Sequence, residues 1–269
     1  MRHGFLGGTA VATSALLMST VSIFVRNLEG DALTITFLRF SSAFLIIAFL
    51  CLLNKEIPKI DRTLFSLAVF NLLTVVSYIS AIQNLEVATA ALLLYMAPVY
   101  VIPLSILMGE KVEAKTLVAV PLGIGGLYLM LTPYAQINFG LVFGIFSGIS
   151  YALVFILSKE ARKYHSPLQI TFLNLGFGSL VLFPYFLLFG SISSIWWVVG
   201  LGTIPTAIPF TLFAYGIKYV KVQRAPVLAL VEPLSASVIG YIYFGEVLAV
   251  KQVIGAAMIL VSVFIAWRE

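Results

Sequence analysis

The chain has 269 residues, of which 61% are hydrophobic and only 10% are charged, and its formal net charge is +5. Soluble globular domains carry about 25% charged residues, so this composition excludes a water-soluble globule and indicates an integral membrane protein. The longest polar interruption, residues 54–62, is too short to form a separate soluble domain.

Apolar runs of roughly 20 residues, each long enough to cross a bilayer, recur along the whole chain. We predict ten spanning helices, so the fold class is an all-α polytopic membrane protein. The first run is interpreted as a retained helix, because it has no convincing signal-peptide cleavage site. Asp31, Asp61 and Ser166 are predicted N-caps of helices 2, 3 and 7. The predicted spans are residues 5–25, 32–53, 63–83, 88–108, 116–133, 139–158, 167–189, 195–217, 222–244 and 251–267.

Positive charge is distributed unevenly between the predicted loops. Thirteen of the 16 lysines and arginines lie near the termini or in the loops after helices 2, 4, 6 and 8, two lie in the other loops, and Arg39 lies within helix 2. The positive-inside rule therefore predicts a cytoplasmic-membrane protein with both termini in the cytoplasm. The basic residues determine topology beside anionic lipid, and nucleic acid is excluded as a partner.

The two halves of the chain share a pattern. Ile35–Leu38 recurs as Ile170–Leu173, 135 residues later, and Pro98 recurs at the same offset as Pro233. Gly109-Glu110 returns as Gly245-Glu246 with one extra residue. These matches predict two repeats, residues 1–134 with helices 1–5 and residues 135–269 with helices 6–10.

Five spans per repeat is an odd number, so the second repeat must enter the membrane in the opposite direction. The charges of the loops agree with this opposite orientation, because Glu86 in a predicted outer loop corresponds to Lys221 in a predicted cytoplasmic loop. Inverted-topology repeats are typical of secondary transporters, in which the binding site lies between the halves and alternating access exposes it to each side.

The wording of the repeat resembles a known family. Residues 225–233, followed by an apolar stretch to Gly245-Glu246 and a final apolar helix, resemble the EamA-type repeat of the drug/metabolite transporter (DMT) superfamily. Residues 90–98, continuing to residue 111, resemble it too, with Ala97 where the second copy has Glu232. The resemblance covers essentially the whole chain. It implies a ten-helix fold of two inverted five-helix bundles, with a central cavity lined by helices 1, 3, 4, 6, 8 and 9. It also implies transport of amino acids, other metabolites, drugs or nucleotide sugars without nucleotide hydrolysis.

Glu232 is the first candidate for substrate binding, because a carboxylate midway along a span is costly unless it is neutral, paired or next to water. It could bind a proton or a substrate ammonium group, or it could bond backbone groups loosened by Pro233 and serve packing only. Pro98 and Pro233 occupy equivalent midspan positions and are predicted to bend helices 4 and 9. These bends are either paired gating hinges or static curvature.

Arg39 could pair with a substrate carboxylate, or it could reach the interface or an internal partner. Aromatic and amide side chains on helices 3, 4, 6 and 8 could line a cavity for a solute that is partly polar, although membrane tyrosines also serve as interfacial anchors. These candidates are Tyr78, Tyr95, Tyr151, Tyr215 and Asn71.

The sequence therefore predicts a secondary transporter that exports or exchanges a small, amino-acid-like metabolite. Its energy would come from a proton gradient or from the gradient of the solute. We expect no enzyme activity, cofactor or metal, since His and Cys residues do not cluster and Cys51 has no partner for a disulfide. Expected partners are the solute, protons as one coupling option, membrane lipid and, as a further option, a second copy in a homodimer. Alternatives are a nucleotide-sugar or phosphate-ester exchanger, an intramembrane lipid-modifying enzyme, and a structural or sensory membrane protein.

Overall fold

Ten helices that are long and apolar enough to cross a bilayer follow one another along the chain, as predicted. The structure is a computed structural model that describes residues 2–56, 58–85, 87–131, 138–245 and 247–267, and all regular elements in those ranges are helical. The spans are α1 His3–Val25, α2 Ala32–Asn54, α3 Arg62–Asn84, α4 Val87–Leu107, α5 Ala114–Leu131, α6 Phe139–Ala161, α7 Pro167–Phe189, α8 Ile195–Ile217, α9 Ala225–Phe244 and α10 Val250–Trp267.

The predicted caps explain where several helices begin. Asp31 accepts hydrogen bonds from the backbone N–H groups of Leu33 and Thr34 at 2.9 and 3.0 Å, and Asp61 accepts one from Leu64 at 2.8 Å. Ser166 forms a complete capping box with Gln169 ahead of α7. Each of these bonds satisfies a backbone donor that a helix start leaves without a partner.

Helices α4 and α9 are each broken beside the proline that the repeat shares. In α4, the segments Val87–Tyr95 and Ala97–Leu107 are separated at Met96, just before Pro98. In α9, the segments Ala225–Leu228 and Val231–Phe244 leave a break shortly before Pro233. Proline lacks the N–H that would bond the carbonyl four residues earlier, so both helices lack a backbone hydrogen bond at the same relative position.

Helices α1 and α8 are also irregular. The segments Arg2–Met18 and Val21–Val25 make up α1, and α8 contains a π-helical turn at Thr203–Ala207 between Ile195–Gly202 and Ile208–Ile217. Pro205 lies within this turn and Pro209 follows it, which accounts for the wider winding, since neither proline can donate a backbone hydrogen bond.

The most extensive helix contacts join α3 with α6, α5 with α10, α2 with α7 and α1 with α8. Close approach depends on small residues: a Cβ at Gly126 of α5 would lie 2.6 Å from the carbonyl oxygen of Gly255 on α10. On α6, a Cβ at Gly148 would lie 2.3 Å from the carbonyl oxygen of Leu93 on α4. Small residues at such crossings are a common means of packing helices in membranes, where the hydrophobic effect does not drive association.

Four loops meet at one end of the bundle, which we call the basic face. It comprises residues 55–56, 58–61, 108–113, 162–166 and 218–224, which follow α2, α4, α6 and α8. The opposite face carries the remaining loops, where the backbone N–H of Glu29 donates to Ser193 and Asn138 donates to the carbonyl of Asn84. Glu86, Glu246 and the predicted repeat boundary at residues 134–135 lie outside the described residues.

Candidate substrate cavity

A cavity of about 490 Å³ lies between the two halves of the bundle, within the range of roughly 300–1,000 Å³ typical of small-molecule sites. Side chains of α1, α2, α3, α4, α6, α7, α8 and α9 line it, while in the described part of the chain α5 and α10 do not. The expectation of helices 1, 3, 4, 6, 8 and 9 therefore omitted α2 and α7. These two helices pack against each other, and side chains of both reach the cavity wall.

Six of the seven candidate substrate-binding residues meet at this cavity. Tyr215 does not, because it follows the cavity-lining Ala214 and so points about 100° around the helix. Its side chain is 39% exposed and its ring lies 5.5 Å from that of Tyr219. The residues that line the cavity are Glu232, Arg39, Tyr78, Tyr95, Tyr151 and Asn71.

The break in α9 determines the position of Glu232. The residue lies in the first turn of the segment Val231–Phe244, where the positive end of the helix dipole favours a negative charge. The carbonyl of Ala229, which Pro233 leaves without its usual donor, instead accepts a hydrogen bond of 2.9 Å from the backbone N–H of Glu232. The carboxyl group is therefore not needed to satisfy that carbonyl and faces the cavity with Tyr95 beside it.

Arg39 is held in the cavity wall by α8. Its Nε donates to the hydroxyl of Thr206 at 2.9 Å, and its Nη2 donates to the carbonyl of Pro205 at 3.0 Å. The guanidinium also lies 5.9 Å from the ring centroid of Phe210. Arg39 and Glu232 interact electrostatically, but these two described side chains do not form an ion pair within 4.0 Å. A positive and a negative group are thus available to a ligand in one cavity.

Aromatic rings form much of the wall around the carboxyl group. The rings of Tyr95 and Tyr151 stand edge to face with centroids 6.5 Å apart, and Tyr151 packs against Phe155 at 4.9 Å. Tyr78 approaches from α3. Such rings offer an apolar surface together with hydroxyl groups, which suits a solute that is partly polar.

Several residues of the cavity were not predicted from the sequence. Asn174, 135 residues after Arg39, was not among the candidates, yet it lines the cavity. Thr206 and the carbonyl of Pro205 were missed as partners of Arg39. The proline spacing contained a usable signal, because Pro209 frees the carbonyl of Pro205 for an outside donor.

A network of charged and polar groups joins the α4–α5 and α8–α9 loops on the basic face. Glu113 bonds Lys221 at 2.6 Å and Arg224 at 2.5 Å. Gln223, which is 0% exposed, donates to the carbonyl of Lys111 at 2.8 Å and accepts from the backbone N–H of Glu113 at 3.3 Å. Burial raises the pKa of Glu113, but the hydrogen bonds from Arg224 and Lys221 outweigh it, so the pKa lies below its usual value. We call this set the basic-face network.

Further contacts on the same face join the halves. Asp61 of the first half lies 2.7 Å from Nε2 of the buried His165, and the Ser166 hydroxyl donates to Glu56. Burial raises the pKa of Asp61, whereas hydrogen bonds from the Leu64 backbone and His165 lower it, and its pKa is lowered overall. Contacts that cross between the halves therefore close this face.

Residues 5–132 and 138–268 each match the model of the EamA-like transporter family. The chain belongs to this family. The resemblance seen in the sequence is thereby confirmed, and the chain is a multi-pass membrane transporter.

Similar proteins agree with this membership. This EamA-family transporter is 65% identical to an uncharacterized transporter of Archaeoglobus fulgidus over 98% of this chain and 97% of that protein. A chloroplastic WAT1-related protein of Arabidopsis thaliana is 22% identical over 97% of this chain and 69% of that protein. A solved crystal structure with 17% identity superposes with a TM-score of 0.84 and covers 97% of both chains, which shows that the fold is shared.

Proposed function

We propose that this transporter moves a small zwitterionic, amino-acid-like solute across the cytoplasmic membrane by alternating access, as export or exchange. One observation carries the proposal: Glu232 and Arg39 line the same cavity without pairing directly. A carboxylate can bind a solute ammonium group, and a guanidinium can bind a solute carboxylate. Charges so deep in a bilayer protein are costly, so their use in binding is a reasonable account of their presence.

The cavity argues for a zwitterion over the anionic alternative. A nucleotide sugar or phosphate ester would need several cations, whereas Arg39 is the only lysine or arginine among the described residues that line the cavity. Glu232, which lines the same cavity, would also repel a phosphate. The aromatic wall instead suits the apolar part of an amino-acid-like solute.

Alternating access would follow from two inverted repeats, residues 1–134 and 135–269. The separate family matches over 5–132 and 138–268 support this division. Helix packing supports it as well, because equivalent helices of the two repeats make equivalent contacts. If each helix is replaced by its counterpart five places along the chain, the α3–α6 contact becomes the α8–α1 contact. The α2–α7 and α5–α10 contacts are each mapped onto themselves. With five crossings per unit, the repeats would be oppositely oriented, and the basic face would be cytoplasmic.

The conformation of the helix bundle corresponds to one of the two end states of an alternating-access cycle. The cavity extends to Val25, Ala32 and Ile82, at or near the ends of α1, α2 and α3 on the opposite face. Toward the basic face it reaches Ser158 and Ile170, short of the ends of α6 and α7. On the basic face, Val222 and Ala225 are fully buried. We infer that the cavity faces outward here and that the breaks beside Pro98 and Pro233 let α4 and α9 bend when it reopens inward.

Uptake by purified protein in liposomes tests the proposal. Radiolabelled amino acids would be screened with and without an imposed pH gradient, which also distinguishes proton coupling from movement along the solute gradient. Arg39→Met should abolish uptake of a zwitterion and Glu232→Gln should reduce it strongly, while Tyr215→Phe, outside the cavity, should retain it. Uptake of phosphate esters in place of zwitterions would contradict the proposal, and so would chemical alteration of lipid without solute movement.

A further inference from the structure

Two amides on opposite halves of the bundle border the cavity with unused hydrogen-bonding capacity. Asn71 of α3 and Asn174 of α7 both line it, and Asn174 is only 8% exposed. Within the described part of the chain, Nδ2 of Asn71 and Oδ1 of Asn174 have no hydrogen-bond partner. One is a donor and the other an acceptor. Buried polar atoms in folded proteins are nearly always bonded, so two complementary exceptions at one cavity require an explanation.

The repeat relates these amides to the pair that holds Arg39. At the offset of 135 residues, Arg39 corresponds to Asn174 and Thr206 corresponds to Asn71. In one half, Arg39 and Thr206 bond each other at 2.9 Å and close the site internally. In the other half, the equivalent positions carry two neutral amides, and Nδ2 of Asn71 and Oδ1 of Asn174 are buried without a partner. At these equivalent positions, the polar side chains bond each other in one half and leave a donor and an acceptor without partners in the other half.

A packing role does not account for this difference. Leucine has the same branched outline as asparagine and would pack there without the cost of burying polar atoms that lack partners. The neighbouring wall offers many apolar residues, including Val75, Ile79 and Phe210. A ligand that bonds both groups would remove the free-energy cost of burying an unbonded donor and an unbonded acceptor. Binding would then depend on the polar group that the ligand supplies.

We propose that Asn71 and Asn174 form a polar subsite that binds a hydroxyl or carboxamide group on the side chain of the transported solute. Either group can accept from the Asn71 amide and donate to the Asn174 oxygen. The inference rests on the proposed function, in which Glu232 and Arg39 bind the ammonium and carboxylate groups. It adds that the cargo is an uncharged polar amino acid or a close analogue, and that aliphatic isosteres bind more weakly.

Competition between isosteric solutes tests the subsite. Inhibition of labelled uptake in proteoliposomes would be measured with the pairs threonine and valine, and glutamine and methionine, for wild type, Asn71→Leu and Asn174→Leu. Asn84→Leu is the matched control, because Asn84 lies on α3 but does not line the cavity. Wild type and control should prefer the polar member of each pair by about tenfold or more, as expected for a site built to hydrogen-bond its ligand.

In each amide variant, the polar solute should lose at least about tenfold in apparent affinity, while valine and methionine change little. Retained binding of the apolar members shows that the variant is folded and that the charged subsites work. An unchanged preference in both variants, or an equal loss for both members of each pair, would overturn the subsite.

If wild type binds no zwitterion at all, the proposed function fails, and thermal stability of the detergent-purified protein tests the amides separately. Across a panel of small hydroxyl- and amide-bearing solutes of different net charge, some should raise the Tm of wild type but not of Asn174→Leu. Equal shifts for both proteins, or no shift from any such solute, would refute the subsite as well.

Discussion

The guanidinium of Arg39 on α2 donates a hydrogen bond of 3.0 Å to the carbonyl oxygen of Pro205 on α8. Pro209, four residues after Pro205, has no N–H to offer that carbonyl. In a bilayer such a carbonyl must find another partner, and Arg39 provides it. The charge is thereby oriented toward the cavity by a defect in a different helix.

This relationship predicts that charge alone cannot replace Arg39. Arg39→Lys keeps a positive charge, but an ammonium group cannot bond the Thr206 hydroxyl and the Pro205 carbonyl in the planar geometry of a guanidinium. Uptake should therefore fall at least about tenfold. Thr206→Val removes only one acceptor and should lower the free energy of unfolding by about 1 kcal/mol while preserving most uptake. Proteoliposome uptake and thermal unfolding in detergent measure the two effects. Full activity of Arg39→Lys would contradict the role of the fork.

Glu232 is predicted to be the group through which pH acts on transport. Glu232→Gln keeps the shape of the side chain but cannot exchange a proton or carry a charge, so uptake should no longer depend on an imposed pH gradient. Initial uptake rates with and without the gradient measure this dependence. Glu29→Gln, at an exposed position on the opposite face, is the control and should behave as wild type. A gradient response in Glu232→Gln equal to that of wild type would remove proton coupling from this residue.

The basic-face network is predicted to hold the inward side shut. Glu113→Gln weakens the pairs with Lys221 and Arg224 and should shift the population toward the inward-facing state. Maleimide labelling of Ser22→Cys in a Cys51→Ala background should then fall several-fold from the opposite face. Glu160→Gln removes a pair with Lys163, three residues further along the chain, which does not join the halves, and it should leave labelling unchanged.

The same network has a defined pH dependence. The pKa of Glu113 is lowered in the folded protein, so the ion pairs contribute stability above the ordinary pKa of about 4.5 and lose it as pH falls through the lowered value. Labelling of Ser22→Cys measured from neutral pH down to about pH 5 should therefore show no contribution from this carboxylate. A transition near neutral pH that Glu113→Gln abolishes would contradict the lowered pKa.

Contact between α5 and α10 is predicted to depend on Gly126. A methyl group there would meet the Gly255 carbonyl at 2.6 Å, so Gly126→Ala should cost about 1–3 kcal/mol and lower Tm by several degrees. At the neighbouring Gly125, the added Cβ would meet only the flexible end of Met258 at 3.2 Å. Gly125→Ala should therefore be tolerated. Equal Tm values for the two variants would contradict the close crossing.

The inverted orientation predicts where inserted tags become accessible. A tag in the loop before α2 should be reached only from outside the cell, and a tag before α7 only from the cytoplasm, because five crossings separate the two loops. Labelling in intact and permeabilised cells measures the sidedness. If both tags were exposed on the same side, the two repeats would be parallel and the proposed access mechanism would fail.

The sequence alone was sufficient to predict the ten spans, the helix caps at Asp31, Asp61 and Ser166, and the bends beside Pro98 and Pro233. These features depend on local composition, on backbone donors and on the missing N–H of proline, all of which act within a few residues. The grouping of Glu232, Arg39 and the three tyrosines around one cavity was also anticipated, because a costly intramembrane charge indicates contact with water or a partner.

Only the tertiary structure decided which way each helix turns its side chains. Lipid and protein interior are both apolar, so the residues of α2, α7 and α8 do not alternate in polarity as they would beside water, and their rotation is decided by packing. This is why Tyr215 lies outside the cavity while Asn174 lies against it. The bond from Arg39 to Pro205 likewise joins positions far apart in sequence, which meet only once the helices are packed.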